Sequence, residues 1–159
     1  MTRANGFDPG RFVAAREGIG LSRTDLARLA GIPETTILRW ELGTHVPRIE
    51  HLRVAIEKLN EMRRRAKRAP LAAGGLIVVA PAERDLSDHR HLALLTPREV
   101  AAELGISVPT LTRIEKGSRP LTSAVVESLA DMLRISADEV HSAWSRANRR
   151  MPELTVGEH

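Results

Sequence analysis

Two hydroxyl side chains each stand three positions ahead of a carboxylate, Ser22 before Asp25 and Thr96 before Glu99. In that spacing the hydroxyl accepts from a free amide three residues on, and the carboxylate can reach back. Each pair therefore marks a helix start, not a catalytic couple. A glycine follows each pair at the same distance, Gly31 and Gly105, where a left-handed backbone would end one helix and turn into the next. The chemistry on offer is hydrogen bonding that builds a tight turn between helices. No nucleophile–base set, phosphate loop or metal cluster is present. The lack of cysteine excludes disulfides, thiolate-bound metal and a cysteine nucleophile. The six histidines show no ligand spacing, with His89 and His91 on opposite sides of a helix. We expect no enzyme, no metal and no cofactor.

The elements that hold these residues occur twice. A shift of 74 positions aligns residues 22–43 with 96–117. The second helix of each copy is launched by Pro33 or by Ser107 with Pro109, and stops at Gly43 or Gly117. Ala27 and Ala101 sit four residues before the turn glycine, where crossing helices leave little room. Leu26, Ile32, Ile37 and Trp40, matched by Val100, Ile106, Leu111 and Ile114, form the inward faces. The match extends upstream, where Phe12, Ala15, Arg16 and Leu21 face Leu86, His89, Arg90 and Leu95. Downstream, 47–59 and 120–133 have apolar residues at helical spacing. The expected fold is all-α: two small helix-turn-helix bundles of four to five helices each, joined by a linker. The boundaries are 7–68, a linker at 69–81, a second unit at 82–150 and a tail at 151–159. Aromatic residues are only 3% of the chain and tyrosine is absent, so Leu, Ile, Val and Ala must fill both cores.

Both units resemble the Cro/phage-repressor family, also called the XRE family, over roughly 10–59 and 86–147. The segment Ile135-Ser136-Ala137-Asp138-Glu139-Val140 resembles the family's start of helix five. The first unit lacks that box and runs instead into a basic extension of its fourth helix at 61–68. The resemblance implies that Glu34, Thr35, Thr36, Leu38 and Arg39 face base edges in the major groove. Their counterparts are Val108, Pro109, Thr110, Thr112 and Arg113, a poorer set of hydrogen-bonding groups. It also implies phosphate contacts from Arg23, Thr44, His45 and Arg48, and from Arg98, Lys116, Ser118 and Arg119. Pro97 departs from the family's pattern at a position that is usually a polar contact. Arg16 with Glu41, and Arg90 with Glu115, stand at matching positions and are implied to be structural ion pairs.

Net charge separates the units. Residues 7–68 carry 13 Lys and Arg against 8 Asp and Glu, whereas 82–150 carry 10 of each, so the first is +5 and the second neutral. Phosphate neutralisation supplies most non-specific affinity, which makes the first unit the expected main binder of double-stranded DNA. The run Arg63-Arg64-Arg65-Ala66-Lys67-Arg68 could add backbone contacts or form solvated helix surface. In the linker, 76–79 could pair as a short strand or pack on a domain. An excisionase-like winged helix was the other fit for 94–107, but the helical pattern after Pro120 stands where a β-wing would be. No apolar stretch approaches the roughly 20 residues of a membrane span, and the start has no signal-peptide apolar region. The expectation is a cytoplasmic, nucleoid-associated regulator with no membrane partner, a repressor of phage-immunity or high-GC bacterial type. The alternative is an adaptor whose second unit dimerises or binds a polymerase subunit or toxin. Two assemblies stay open: a homodimer, for which Val140 and Trp144 could form an exposed apolar stripe unless Trp144 closes its own core, or a monomer using both domains on an asymmetric site.

Overall fold

The computed structural model describes residues 3–152. Local capping begins each element. The Asp8 carboxylate accepts from the Arg11 amide at 3.1 Å, and Pro9 fills the first turn of α1 (Pro9–Glu17). Ser22 accepts from the Asp25 amide at 3.0 Å and opens α2 (Arg23–Ala30). Gly31 then takes a left-handed backbone, φ +64°, which ends α2 and aims the chain into α3 (Glu34–Glu41). After a loop, α4 (Ile49–Arg65) runs for 17 residues and takes in Arg63, Arg64 and Arg65, so the expected extension to 68 stops at Arg65 and Lys67 turns left-handed beyond it, at φ +55°.

The second half repeats the pattern with α5 (Leu86–Leu92), α6 (Pro97–Leu104), α7 (Val108–Glu115), α8 (Ser123–Leu133) and α9 (Ala137–Arg149). Gly105 sits at φ +67°, matching Gly31. Leu94 stands where the first copy has Gly20, and both backbones are left-handed, at +55° and +68°. That geometry costs a non-glycine residue about 1–2 kcal/mol, so here the repeated backbone prevails over side-chain preference. The expected start of helix five is in place: Ser136 accepts from the Glu139 amide at 3.1 Å at the head of α9.

The described residues form an all-α fold of two units, one reaching Val79 and including His91–Thr96, the other holding Ala80–Arg90 and the residues from Pro97 on. In the first, Phe12, Leu26, Ile37, Trp40, Leu52 and Leu59 make the centre of the core, with Phe12 and Trp40 edge to face at 5.8 Å. In the second, Val100, Leu111, Ile114, Val126, Leu129 and Val140 are buried. The segment expected as a linker contributes to the first core. Leu76 and Ile77 are 0% and 1% exposed, a short 3-10 turn (Ala73–Gly75) leads into them, and Ile77 bridges Phe7. An apolar pair this large gains more from burial than from a solvated tether. Of the expected tail, residues 153–159 lie outside the described residues.

Of the two readings of Trp144, an exposed stripe with Val140 or closure of its own unit, the structure has the second. Val140 is fully buried, and the half-buried Trp144 donates Nε1–H to the Arg119 carbonyl at 2.9 Å. Both residues face the unit's own core and loop, because the α9 positions four apart lie on the face that packs inward.

Glu139 ties α9 to itself and to α5. Its carboxylate accepts from Arg146 Nη1 at 2.7 Å and meets buried His89 Nε2 at 2.9 Å. The Arg146 hydrogen bond, aided by His89, holds the Glu139 carboxyl below its ordinary value of 4.5. A depressed carboxylate stabilises the fold above its unfolded value and loses that contribution as pH falls through the folded one. Asp88, raised by burial, has the opposite sign. The difference between variants therefore isolates Glu139. We expect Glu139→Gln to melt below wild type at neutral pH, with the gap closing as pH drops below about 4.5, as followed by circular dichroism. A gap that is constant with pH would contradict the assignment.

Candidate nucleic-acid interface

The outer face of α3 is fixed by what lies under it. Arg16, on α1, is buried. Its Nε and Nη2 donate to Glu41 at 2.6 and 3.1 Å, and its Nη1 donates to the Leu21 carbonyl at 2.9 Å. Side-chain exposure is 7% for Arg16 and 5% for Glu41, so this is a buried, two-pronged pair. It joins α1, the turn before α2 and the last residue of α3. The second unit repeats it: Arg90 Nε and Nη2 donate to Glu115 at 2.6 and 3.2 Å, and Nη2 also reaches Ser87 Oγ at 3.3 Å.

Ile37 and Trp40 point inward, leaving Glu34, Thr35 and Arg39 exposed, with Thr36 and Leu38 half-buried between the faces. On α7 the exposed residues are Val108, Pro109 and Arg113, while Thr110 and Thr112 are half-buried. These threonine hydroxyls have local partners. Thr112 donates to the Val108 carbonyl at 3.0 Å, and Thr110 Oγ1 lies 2.9 Å from Ser107 Oγ, the cap of α7. A hydroxyl engaged with backbone has less capacity for a ligand. The second face is thus poorer in polar groups than its sequence alone suggests.

The loops after the two helices are built alike. The amides of Thr44 and His45 donate to the Arg39 carbonyl at 3.0 and 3.2 Å, and those of Ser118 and Arg119 donate to the Arg113 carbonyl at 3.0 and 3.2 Å. Thr44 and Ser118 add their hydroxyls to the same carbonyls at 3.2 and 3.1 Å. This folds each loop against its helix and leaves His45, Arg48, Lys116 and Arg119 exposed. In the second unit α9 braces the loop: Asn148 donates to the Gly117 carbonyl at 2.8 Å, and a side chain at Gly117 would overlap the Asn148 backbone.

Two residues at the helix-two starts differ in role. Arg98 is exposed, whereas Arg23 is half-buried and gives its Nε to Glu41 at 2.9 Å. Arg23 therefore belongs in part to the ion-pair group. Its counterpart by the 74-residue shift is Pro97, so Glu115 has no matching second arginine. Sequence reasoning also passed over Arg3 and His51, which stand beside Arg39 and Arg48 in the first unit. The one signal for His51 was its place a single turn into the fourth helix.

Two helices crossing at a left-handed turn, the second showing a polar outer face, define a helix-turn-helix domain of the DNA-binding class. A family model described as "Helix-turn-helix domain" matches residues 57–143, and one described as "Helix-turn-helix" matches 14–61. The chain belongs to the helix-turn-helix family and carries two such domains in tandem, the first of XRE type. It is similar to an uncharacterized HTH-type transcriptional regulator, YazB, of Bacillus subtilis (strain 168). The two are 42% identical over 57 residues, covering 36% of this chain and 83% of the relative. No solved structure is a significant match. No helix among the described residues is long and apolar enough to cross a membrane.

Removing one partner of a buried pair strands the other charge at a cost of about 3–5 kcal/mol. Glu41→Gln should therefore destabilise the first unit by an amount in that range. Glu115→Gln should cost less, because Glu115 is 13% exposed and serves one arginine where Glu41 serves two. Urea denaturation of both variants checks the order. Equal losses, or a loss under about 1 kcal/mol for Glu41→Gln, would contradict the structural role.

Proposed function

We propose that the protein is a sequence-specific regulator that binds double-stranded DNA and represses transcription, with α3 in the major groove. One observation carries this reading: α3 buries Ile37 and Trp40 and turns Glu34, Thr35 and Arg39 to solvent, flanked by exposed His45 and Arg48. Arg39 would read guanine O6 and N7 with its fork, Glu34 would accept from a cytosine amine, and Thr35 would meet a base edge or thymine methyl. Thr44, His45 and Arg48, with the remaining donors of Arg23, would hold phosphates and set the register. The family membership and the regulator-type relative support the same reading.

The second unit plays the lesser part in this proposal. Arg113, with Lys116, Ser118, Arg119 and Arg98 around it, keeps the contact layout, but Val108 and Pro109 offer only apolar contact. Its readout would rest on thymine methyls and DNA shape. Two unlike recognition helices in one monomer would select an asymmetric site. Repression follows most simply, since occupying a promoter blocks it with no further contact required. A repressor of phage-immunity or high-GC bacterial type fits two such units. The neutral charge and locally satisfied threonines of α7 favour one other reading, in which the second unit engages a protein.

Selection from a random DNA pool tests both. The proposal expects one enriched motif. Arg39→Ala should weaken binding to it by about 1–3 kcal/mol and relax one base position. Arg48→Ala should weaken all sequences alike and flatten the salt dependence. Enrichment of no motif, or an Arg39→Ala variant with unchanged preference, would overturn it. Arg113→Ala variants with unaltered selection would shift the second unit to the protein-binding reading.

A further inference from the structure

We infer that the first unit holds a phosphodiester pocket completed by Arg3, a residue delivered to the interface by the N-terminal segment. This rests on the DNA-binding role proposed for α3. Residues 3–8 are clamped from two sides. On one side the Ala4 amide donates to the Pro47 carbonyl at 2.8 Å and Arg3 forms an antiparallel bridge with Arg48. On the other, Val78 donates to Gly6 at 2.9 Å and Asp8 donates to Leu76 at 2.8 Å. Gly6 is needed there. Its φ is +83°, and a Cβ would press on the Val78 carbonyl and the Val79 side chain at 3.0 Å. Ala4 itself is fully buried, which anchors the segment next to the loop after α3.

The result is a cleft of about 220 Å³ lined by Arg3, Thr36, Arg39, His45, Arg48 and His51, with Trp40 and Val46 as its apolar part. No carboxylate is among the described residues that line it. Like charges placed opposite each other across a bridge oppose the pairing, so Arg3 beside Arg48 is an arrangement that the buried Ala4 and the backbone bonds must sustain. An anion with several oxygens relieves it. Guanidinium forks match phosphate oxygens two at a time, and imidazole and hydroxyl groups supply further donors. The polynucleotide backbone is favoured over a free anion because Thr36 and Arg39 belong to α3 itself. A phosphate held here is continuous with a duplex lying along that helix.

The test uses the full chain and a random-sequence duplex, with affinity measured across a chloride series. Arg3→Ala should lower the slope of log K against log salt by about 0.9, the value of one phosphate contact, and weaken every sequence alike. Arg3→Lys should restore the slope, and Lys58→Ala, an equal charge change on α4 away from the cleft, should leave it at wild type. Because Arg3 is exposed and stands opposite the like charge of Arg48, the melting temperature of Arg3→Ala should not fall. An unchanged slope in Arg3→Ala overturns the pocket even if Arg39→Ala still abolishes sequence preference. A reduced slope in a protein that selects no motif keeps the pocket and removes the base-reading role. Displacement of the duplex by inorganic phosphate beyond the effect of chloride at equal ionic strength, lost in Arg3→Ala, would overturn the duplex assignment in favour of a free anion.

Discussion

A guanidinium buried under the end of a helix is costly to hold, since the effective penalty for taking one charge out of water is several kcal/mol. Arg16 is held because Glu41 answers two of its nitrogens and the Leu21 carbonyl a third. Such an arrangement tolerates little displacement. If α3 turned or slid, Glu41 would leave the fork, and an unpaired charge would stay behind in the core. The pair thereby fixes the angle at which α3 stands on α1 and the turn before α2. That decides which side chains face out. Arg90 and Glu115 impose the same constraint on α7. The pairs are best read as devices of orientation, since an ion pair of this kind adds little net stability over an apolar replacement.

With orientation settled, the two units differ through what is placed on a common frame. Both loops fold back on the carbonyl of the arginine in the last turn, Arg39 or Arg113, with nearly equal distances. The first face is charged and open, with Arg3 of the N-terminal segment beside it, and that segment is held in turn by residues 76–78. The second unit carries no net charge, the threonines of its face are satisfied locally, and its loop is braced by Trp144 and Asn148 from α9, which has no counterpart in the first. On the proposed function, the first unit supplies affinity and the second refines the site.

Much of this was legible because it is local. Ser22 with Asp25, and the glycines at 31 and 105, act within four residues of chain, and their repetition 74 positions apart made the two helix pairs readable. Arg16 with Glu41 was implied only through the family resemblance, since nothing in their spacing says that they meet. What escaped was long-range and aperiodic. The bridges of Arg3 to Arg48 and Phe7 to Ile77 involve single residues, too short for any alternation to show. For Leu76 and Ile77 the pattern favours packing on a domain over a strand, as the structure has it, but it does not say which surface covers them. Val140 looked available because a helix face alone does not say which neighbour covers it. Arg23 reads as a solvent-facing cation, yet Glu41 lies within reach of it.

The central claim is that α3 and the loop after it form the DNA-contacting surface. Backbone amide resonances followed by NMR during titration with the selected duplex test this most directly. The account predicts that the largest shifts fall on residues 34–39 and 44–48, with the buried Arg16 and Glu41 amides little changed. Shifts confined to the outer faces of α1 and α4, with 34–39 unmoved, would contradict it.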